Sequence, residues 1–160
     1  MPKVSVLMPV YKTNEKYLRE ASGEYEKRLS RYCDLKISEL APVNLSDNPS
    51  SAEIENALLK EKDMILKQIP KDAFTVALCI EGKELSSEAL AELFKEKSIE
   101  GQRICFIIGS SYGLSNEIKK RADIRLSVSK MTFPHQLFRI MLLEQTYRAF
   151  KINEGSTYHK

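Results

Sequence analysis

Short apolar segments alternate with longer amphipathic ones along most of the chain. Four segments rich in Val, Ile and Leu predict buried β-strands at 3–11, 74–80, 103–109 and 124–129, while 34–40 alternates apolar and polar residues as a half-exposed strand does. Because the buried strands alternate with helical segments, the pattern predicts an α/β fold: a single domain with a parallel-rich sheet flanked by helices on both faces.

Five amphipathic segments predict helices. Asn14 is expected to cap the first helix, which runs to about Tyr32. Ser50 and Glu53 have the spacing of a capping box and open a second helix that ends at Pro70. The other three helices are expected to begin at Ser86 or Ser87, at Ser115, and at Pro134, with the last one running to about Ile152 and leaving a tail over 153–160.

The final helix is apolar on nearly every side. Leu137 and Met141 lie on one face, while Leu142 and Phe150 belong to others. A helix that is apolar all round must be buried all round, and a chain of this size cannot easily wrap its last helix completely. We therefore predict a two-fold homodimer that buries this helix, in which a charge at Leu142 or Phe150 gives unstable monomers. The alternative is a central core helix within one protomer.

The composition limits the class of protein. The 160 residues are 42% hydrophobic and 29% charged, which fits one globular domain spanning 1–160. Cys33, Cys79 and Cys105 form no CxxC pair, and with only two histidines no metal site is expected. No segment approaches the length of a membrane span, and the N-terminus lacks a signal-peptide pattern. A cytoplasmic location is therefore expected, without a membrane partner.

The net charge of +3 is distributed unevenly. Acidic and basic residues balance over 1–80, acidic residues are in excess over 81–118, and 119–160 carries nine basic and three acidic residues. A basic segment of this kind is typical of a surface that binds a polyanion. Scattered, solvated Lys and Arg side chains would give the same count, so the charge alone does not decide between the two.

Three loops at the carboxyl ends of strands are the expected ligand site, since parallel sheets bind ligands there: 81–85, 109–113 and 129–133. Glycines in 109–113 let backbone N–H groups approach a ligand, although a plain strand–helix turn has the same pattern. Thr132 is expected to cap the final helix. His135, in the first helical turn, is more often a structural hydrogen-bonding residue than a base.

The last three residues combine an aromatic ring, a titratable group and a cation in Tyr158, His159 and Lys160. A tyrosine can stack on an unpaired base, and basic groups can bind phosphate or a developing anion. The simpler interpretation is a frayed terminus. The sequence contains no Gly-x-Ser-x-Gly motif and no convincing acidic pair, so serine hydrolase and glycosidase functions have no support.

Six blocks spread from end to end carry a more specific signal: 24–29 (EYEKRL), 85–88 (LSSE), 107–109 with 113–114 (IIG and GL), 126–136 (LSVSKMTFPHQ), 144–150 (EQTYRAF) and 158–160 (YHK). Through these blocks the chain resembles the RlmH (YbeA-type) family of SPOUT methyltransferases. The SKMTFPHQ and EQxYRAF blocks are highly specific to that family. Composition and spacing alone name no activity.

The resemblance implies an enzyme that uses S-adenosylmethionine to methylate N3 of a pseudouridine in 23S ribosomal RNA, with the ribosome as the expected context and no DNA partner. It also implies a homodimer with a C-terminal trefoil knot over about 74–152, and a substrate tail over 153–160. Connection rules argue against knots, so the knot rests on the resemblance alone. The implied cofactor contacts are Leu78, Gly109, Val128, Ser129, Lys130, Met131, Thr132 and Phe133.

One position departs from the family's pattern. The family usually has two adjacent glycines after the fourth strand, and the second is Ser110 here. A serine forced to a positive φ would cost roughly 1 kcal/mol or more, so cofactor affinity would fall or the loop would shift. Gly109 is expected to be the essential one of the two.

Methylation at N3 needs a base for the N3 proton and a cation beside the anion that its removal leaves on the flanking carbonyls. His159 is the candidate base or proton relay, and Tyr158 is expected to stack on the pseudouridine. The candidate cations are Lys160, Arg139 and Arg148.

Two other functions stay open. A non-catalytic RNA-binding module would use the basic C-terminal face without a cofactor, and a calorimetric titration with S-adenosylmethionine distinguishes it from the methyltransferase. A nucleotide-binding α/β protein of another chemistry is the third possibility. The absence of GxGxxG and Walker motifs weakens it.

Overall fold

Five parallel strands form one sheet in the computed structural model, which describes residues 1–10 and 15–160. The strands are β1 (Lys3–Pro9), β2 (Asp34–Leu40), β3 (Phe74–Glu84), β4 (Ile104–Ile107) and β5 (Ile124–Ser127). Their order across the sheet is β2-β1-β4-β3-β5, and every neighbouring pair is parallel. The predicted α/β fold with a parallel sheet is confirmed.

Helices cover both faces of the sheet: α1 (Lys16–Leu29), α2 (Ser51–Gln68), α3 (Ser87–Ile99), α4 (Asn116–Arg121) and α5 (His135–Asn153). Alternate strand residues point to opposite faces, so the sheet has two cores. The larger core joins α1, α3 and α5 to one face, and the smaller joins α2 and α4 to the other. Within the described residues, no helix combines the length and apolar character needed to cross a membrane.

Serine caps fix where three of the helices begin. The predicted capping box is present: the Ser50 hydroxyl accepts from the Glu53 N–H at 3.2 Å, and the Ser50 N–H donates to the Glu53 carboxylate at 3.4 Å. Ser86 caps α3 by accepting from the Ala89 N–H, and Ser115 caps α4 by accepting from the Ile118 N–H, each without the reciprocal bond of a capping box. Asn14, the predicted cap of α1, lies outside the described residues.

The predicted cap of α5 is wrong. The helix starts at His135, and Pro134 occupies the N-cap position without any side-chain cap. Thr132 would have to accept from an N–H two or three residues on. One of those residues is Pro134, which has no N–H, and 132–134 is not helical. Thr132 is exposed instead.

β3 extends four residues beyond the predicted end at Ile80, because polar residues such as Glu81 and Glu84 hide the strand pattern. Its pairing with β5 shifts register between Leu78 and Lys83. The residues between these two positions therefore leave the regular ladder. This irregularity lies where the functional cavity forms.

The prediction that α5 needs a second copy to cover it is wrong for its central residues. Leu142 and Phe150 are buried in the larger core of their own chain, against α1 and α3. The Phe150 ring stacks on Tyr32 with centroids 6.0 Å apart and meets Phe94 edge-on at 5.3 Å. The alternative of a central core helix accounts for these residues. A charge at Leu142 or Phe150 would disrupt the protomer's own core and so would not report on dimerisation.

Candidate functional site

A cavity of about 370 Å³ lies at the carboxyl ends of β3, β4 and β5. Its walls come from 78–81, 108–114 and 126–133, and α5 closes it with His135 and Phe138. Two of the three predicted loops, 109–113 and 129–133, contribute most of their residues, whereas 81–85 contributes only Glu81. The volume falls within the ~300–1,000 Å³ typical of small-molecule sites.

Seven of the eight residues implied as cofactor contacts line this cavity: Leu78, Gly109, Val128, Ser129, Met131, Thr132 and Phe133. The eighth, Lys130, is exposed and does not line it. Four apolar residues that were not predicted as part of the site also line the cavity, and we call them its apolar floor: Ile108, Leu114, Leu126 and Phe138. These residues carry the same signal as any strand or helix core residue, so nothing in the pattern distinguished them.

The turn over 109–113 brings the backbone unusually close to itself. The Gly113 N–H donates to the Ser110 carbonyl at 2.8 Å, and Gly113 has a φ of 83°. A Cβ added to Gly109 would lie 2.4 Å from the Gly113 oxygen, which real Cβ atoms do not approach. The expected importance of Gly109 therefore has a structural cause. The cost expected for Ser110 if its position needs a positive φ does not arise, because the positive φ falls on Gly113 instead.

Serine side chains hold the bends of the loop over 127–131. The Ser127 hydroxyl donates to the Ser129 carbonyl at 3.0 Å, and the Ser129 hydroxyl accepts from the Met131 N–H at 3.0 Å. Val128 and Met131 line the cavity and are also exposed to solvent, Met131 by 74%. The loop therefore presents a fixed backbone and an apolar rim.

His135 closes one side of the cavity as a neutral ring at physiological pH. Burial lowers the pKa of His135, and a hydrogen bond to the Ser110 backbone offsets this only in part. A neutral imidazole near a backbone carbonyl fits the structural role expected for this residue.

The C-terminal tail folds back onto α5 and the start of α3. His159 lies between two charged groups: its Nδ1 is 3.1 Å from an Arg148 guanidinium nitrogen, and its Nε2 is 2.7 Å from the Glu88 carboxylate. Since a guanidinium only donates, Nδ1 accepts and Nε2–H donates to Glu88. This hydrogen bond is the main reason why the pKa of Glu88 is lowered. A neutral His159 in this arrangement has no free lone pair with which to take a proton.

Tyr158 is also engaged within its own chain. Its hydroxyl donates to Glu144 at 3.2 Å, its ring meets Tyr147 edge-on at 5.1 Å, and the Arg148 guanidinium lies 4.8 Å from the ring centre. Burial and the Glu144 charge raise the pKa of the Tyr158 hydroxyl. Stacking on an RNA base would require the ring to leave this position or offer its other face.

The tail and the cavity are not brought together within one protomer. None of 158–160 lines the cavity. Along α5 the cavity ends at Phe138, whereas the tail contacts Glu144 and Arg148. Glu144 and Arg148 lie six and ten positions beyond Phe138, about 9 and 15 Å of helical rise. The predicted catalytic group and the predicted cofactor site are thus apart in the single chain.

The three candidate cations differ in their surroundings. Arg139 is 7% exposed, donates to Glu39 at 2.7 Å, and its Nε has no hydrogen-bond partner among the described residues. Arg148 is paired with Glu144 at 2.7 Å as well as with His159. Lys160 is exposed. Arg139 and Arg148 are therefore held in fixed positions, while Lys160 is not.

Fold and cavity together define an α/β protein with a cavity of small-molecule size at the carboxyl edge of its sheet. The profile of a family described as "Predicted SPOUT methyltransferase" matches residues 3–159. The chain belongs to the SPOUT methyltransferase family, which confirms the resemblance noted in the sequence.

Relatives of similar length support this assignment. The chain is 52% identical to the ribosomal RNA large subunit methyltransferase H of Bifidobacterium adolescentis and 48% identical to that of Carboxydothermus hydrogenoformans, each over 96% of this chain and 98% of the relative. Among solved structures, a tRNA (m1G37) methyltransferase from Aquifex aeolicus matches with a TM-score of 0.55 at 13% identity, covering 92% of this chain and 70% of that one. The last comparison shows the fold alone.

Membership of this family implies a methyl donor of the S-adenosylmethionine type, and the residues present fit such a group. The apolar floor suits a flat ring system, and the turn over 109–113 is closed by backbone packed tightly against Gly109. The serine-held loop over 127–131 adds a second backbone wall.

Proposed function

We propose that this protein is an S-adenosylmethionine-dependent methyltransferase that modifies N3 of a pseudouridine in 23S ribosomal RNA, with the ribosome as its substrate. The supporting observation is that seven of the eight implied cofactor contacts line one cavity at the carboxyl edge of the sheet. Relatives that share about half of the sequence over nearly the whole chain carry the name ribosomal RNA large subunit methyltransferase H.

The cofactor would be held by main-chain groups of 109–113 and 127–133 above the apolar floor. S-adenosylmethionine supplies a methyl group that is already activated for transfer. The chain's own contribution is then largely positioning: a fixed backbone on two sides and an apolar rim that limits the access of water. Lys130 belongs to this proposal as a loop residue whose backbone, rather than its side chain, takes part.

The tail supplies the acid–base chemistry on the RNA. His159 removes the N3 proton, which requires that its Nδ1 first release Arg148. Arg148, freed by the same movement, or Lys160 then stabilises the anion that spreads over the flanking carbonyls, and Arg139 is the third candidate. Tyr158 stacks on the pseudouridine once it leaves Tyr147.

The active unit is a homodimer in which the tail of one protomer completes the cavity of its partner. The separation of tail and cavity along α5 supports this arrangement. A second copy would also cover the exposed apolar residues that surround the cavity, namely Ile80, Tyr112, Val128, Met131 and Leu137. These residues, rather than the buried centre of α5, are the ones that favour a two-fold contact.

The knot implied for about 74–152 belongs to the same proposal. Between β4 and β5 the chain crosses β3 in the sheet, and after β5 it returns to the turn over 109–113, where His135 faces Ser110. A chain threaded in this way would fix the two cofactor loops relative to each other before the ligand binds.

Deletion of 156–160 tests whether the cavity binds the cofactor while the tail acts on the RNA. We expect calorimetry to give an S-adenosylmethionine affinity within about twofold of wild type, because no tail residue lines the cavity. Tritiated methyl incorporation into ribosomes should be lost. Full methylation by the truncated protein would refute the role of the tail.

Mixed dimers test whether the site is shared between protomers. A Gly109→Ala protomer, whose cavity turn is distorted by the clash of the new Cβ with the Gly113 backbone, is mixed with the protomer that lacks 156–160. If the tail acts on the partner's cavity, one of the two sites in each mixed dimer is complete, and methylation reappears although neither parent is active. Mixed dimers that stay as inactive as their parents would show that the tail acts on its own chain.

A further inference from the structure

Exposed cations line the edge of the sheet beside the cavity. The last turn of α4 is basic throughout, and Arg125 follows on β5, the edge strand. Lys83 of β3 is paired in register with Leu126 of β5, and Lys130 follows the end of β5. We call this set the β5 basic strip; its members, all exposed, are Lys83, Lys120, Arg121, Arg125 and Lys130.

No member of the strip forms an ion pair with any carboxylate in the described part of the chain. Four acidic residues lie near the strip in sequence, and one of them, Glu84, is exposed beside Lys83 on β3. Asp123 accepts from the Thr75 N–H at 2.7 Å and from the Thr75 hydroxyl at 3.0 Å. Glu117 is 2.8 Å from Lys62, and Glu81 pairs with Lys119. Asp123 and Glu84 keep their charges, so the five cations of the strip exceed the two carboxylates beside them that have no basic partner, and the strip keeps an excess of positive charge.

The strip adjoins the cavity through Arg125, which contacts a residue of the cavity lining. Lys119 lines the cavity, and the Arg125 guanidinium donates to the Lys119 carbonyl at 3.1 Å. From there the cations follow β5, with Lys130 beyond its carboxyl end and Lys120 and Arg121 before its amino end. Edge strands often carry a charge that blocks pairing with another sheet, which would account for Arg125 but not for the basic turn of α4.

We propose that the β5 basic strip binds the sugar–phosphate backbone of the substrate RNA next to the nucleotide that enters the cavity. This inference rests on the proposed function and extends it to a surface outside the cavity and the tail. Phosphate contacts position an RNA and supply much of its affinity without reading its sequence, and they need exposed cations without a competing carboxylate. The tail would then act on the base while the strip holds the strand.

The double variant Lys120→Glu/Arg121→Glu tests this proposal. Its control is Lys27→Glu/Arg31→Glu, which reverses one exposed lysine and one exposed arginine at the end of α1, beside β2 at the opposite edge of the sheet. Both pairs lie at helix C-termini, so the change in helix electrostatics is matched. The probe is a transcribed 23S ribosomal RNA hairpin that contains the target uridine, followed by fluorescence anisotropy between 50 and 200 mM KCl.

For the strip variant we expect the Kd for the hairpin to rise at least tenfold. The slope of log Kd against log salt concentration should fall by the equivalent of about two phosphate contacts. The control should stay within about twofold of wild type. Calorimetry should give unchanged S-adenosylmethionine affinity, and on ribosomes KM should rise while kcat stays within twofold. If the charge reversals lower the melting temperature, Lys120→Gln/Arg121→Gln should still reduce the salt dependence.

Wild-type RNA affinity and salt dependence in the strip variant would overturn the proposal, as would an equal loss in the control. Failure of the proposed function gives a different result: the wild-type protein would bind no S-adenosylmethionine and transfer no methyl group, whatever the strip does to RNA affinity.

Discussion

Gly109 sits where the backbone of the cavity turn leaves no room for a side chain. A Cβ there would lie 2.4 Å from the Gly113 oxygen and 2.5 Å from its carbonyl carbon, both backbone atoms that cannot rotate away. We expect Gly109→Ala to weaken S-adenosylmethionine binding at least tenfold in calorimetry. The control is Gly23→Ala in α1, where nothing lies within 4 Å and alanine should stabilise the helix by up to about 1 kcal/mol. Equal affinities in the two variants would contradict this account of the turn.

Glu61 makes the stability of the protein depend on pH. It lies on α2, is 5% exposed, and burial raises its pKa above 4.5, although a hydrogen bond with Ser110 partly opposes this. Between the unfolded and folded pKa values the folded state binds more protons, so the free energy of unfolding falls as pH rises from about 4.5 through the folded pKa.

Replacing Glu61 by Gln removes this titration. We expect chemical denaturation to show that Glu61→Gln gains stability relative to wild type between pH 4 and pH 8. Glu55→Gln, on the exposed side of the same helix, controls for the loss of one carboxylate. A Glu61→Gln stability difference that is the same at both pH values would show that Glu61 is not the titrating group.

The role of a single residue was predictable where a family motif marked it. It was not predictable where the role depends only on packing. Gly109 was expected from its motif, and the structure supplies the reason. Whether Ser110 needs a positive φ could not be decided from the sequence, because the sequence does not show which residue of a turn takes it. Glu61 lies in a helix rich in Lys and Glu, and its burial depends on the distant turn over 109–113.

At the scale of elements, the two serine caps on α2 and α3 are chemically alike but lie in different places. Ser50 caps a helix far from the tail, whereas Ser86 caps the turn that presents Ser87 to Gln145 at 2.7 Å and Glu88 to His159. Ser50→Ala and Ser86→Ala should each lower the free energy of unfolding by about 1 kcal/mol. Only Ser86→Ala should also reduce methylation, because a loosened first turn of α3 no longer holds Glu88 against His159. An equal effect of both variants on methylation would argue against a role for the first turn of α3.

Most elements were predictable because their signals are local. The capping box over 50–53 and the strand over 34–40 lie where expected. The end of β3 and the cap of α5 were not, although the start of α5 lies within one residue of the predicted Pro134. β3 continues through polar residues because it pairs with β5, and Thr132 lines the cavity instead of capping α5.

At the scale of the whole molecule, sequence patterns gave the type of sheet but not its order. Placing β4 between β1 and β3 depends on long-range pairing that no local signal records. The same limit applies to the site. The cavity loops were expected at the carboxyl ends of the strands, but the distance between cavity and tail emerged only from the packing of 158–160 on α3 and α5.

The central claim is that the protein transfers a methyl group from S-adenosylmethionine to N3 of a pseudouridine in 23S ribosomal RNA. The most direct measurement uses tritiated S-adenosylmethionine and ribosomes from cells that lack the modification, followed by digestion of the RNA and chromatography of the labelled nucleoside. The account predicts label in 23S ribosomal RNA that elutes as N3-methylpseudouridine. Label in a different nucleoside, or none at all, would contradict it.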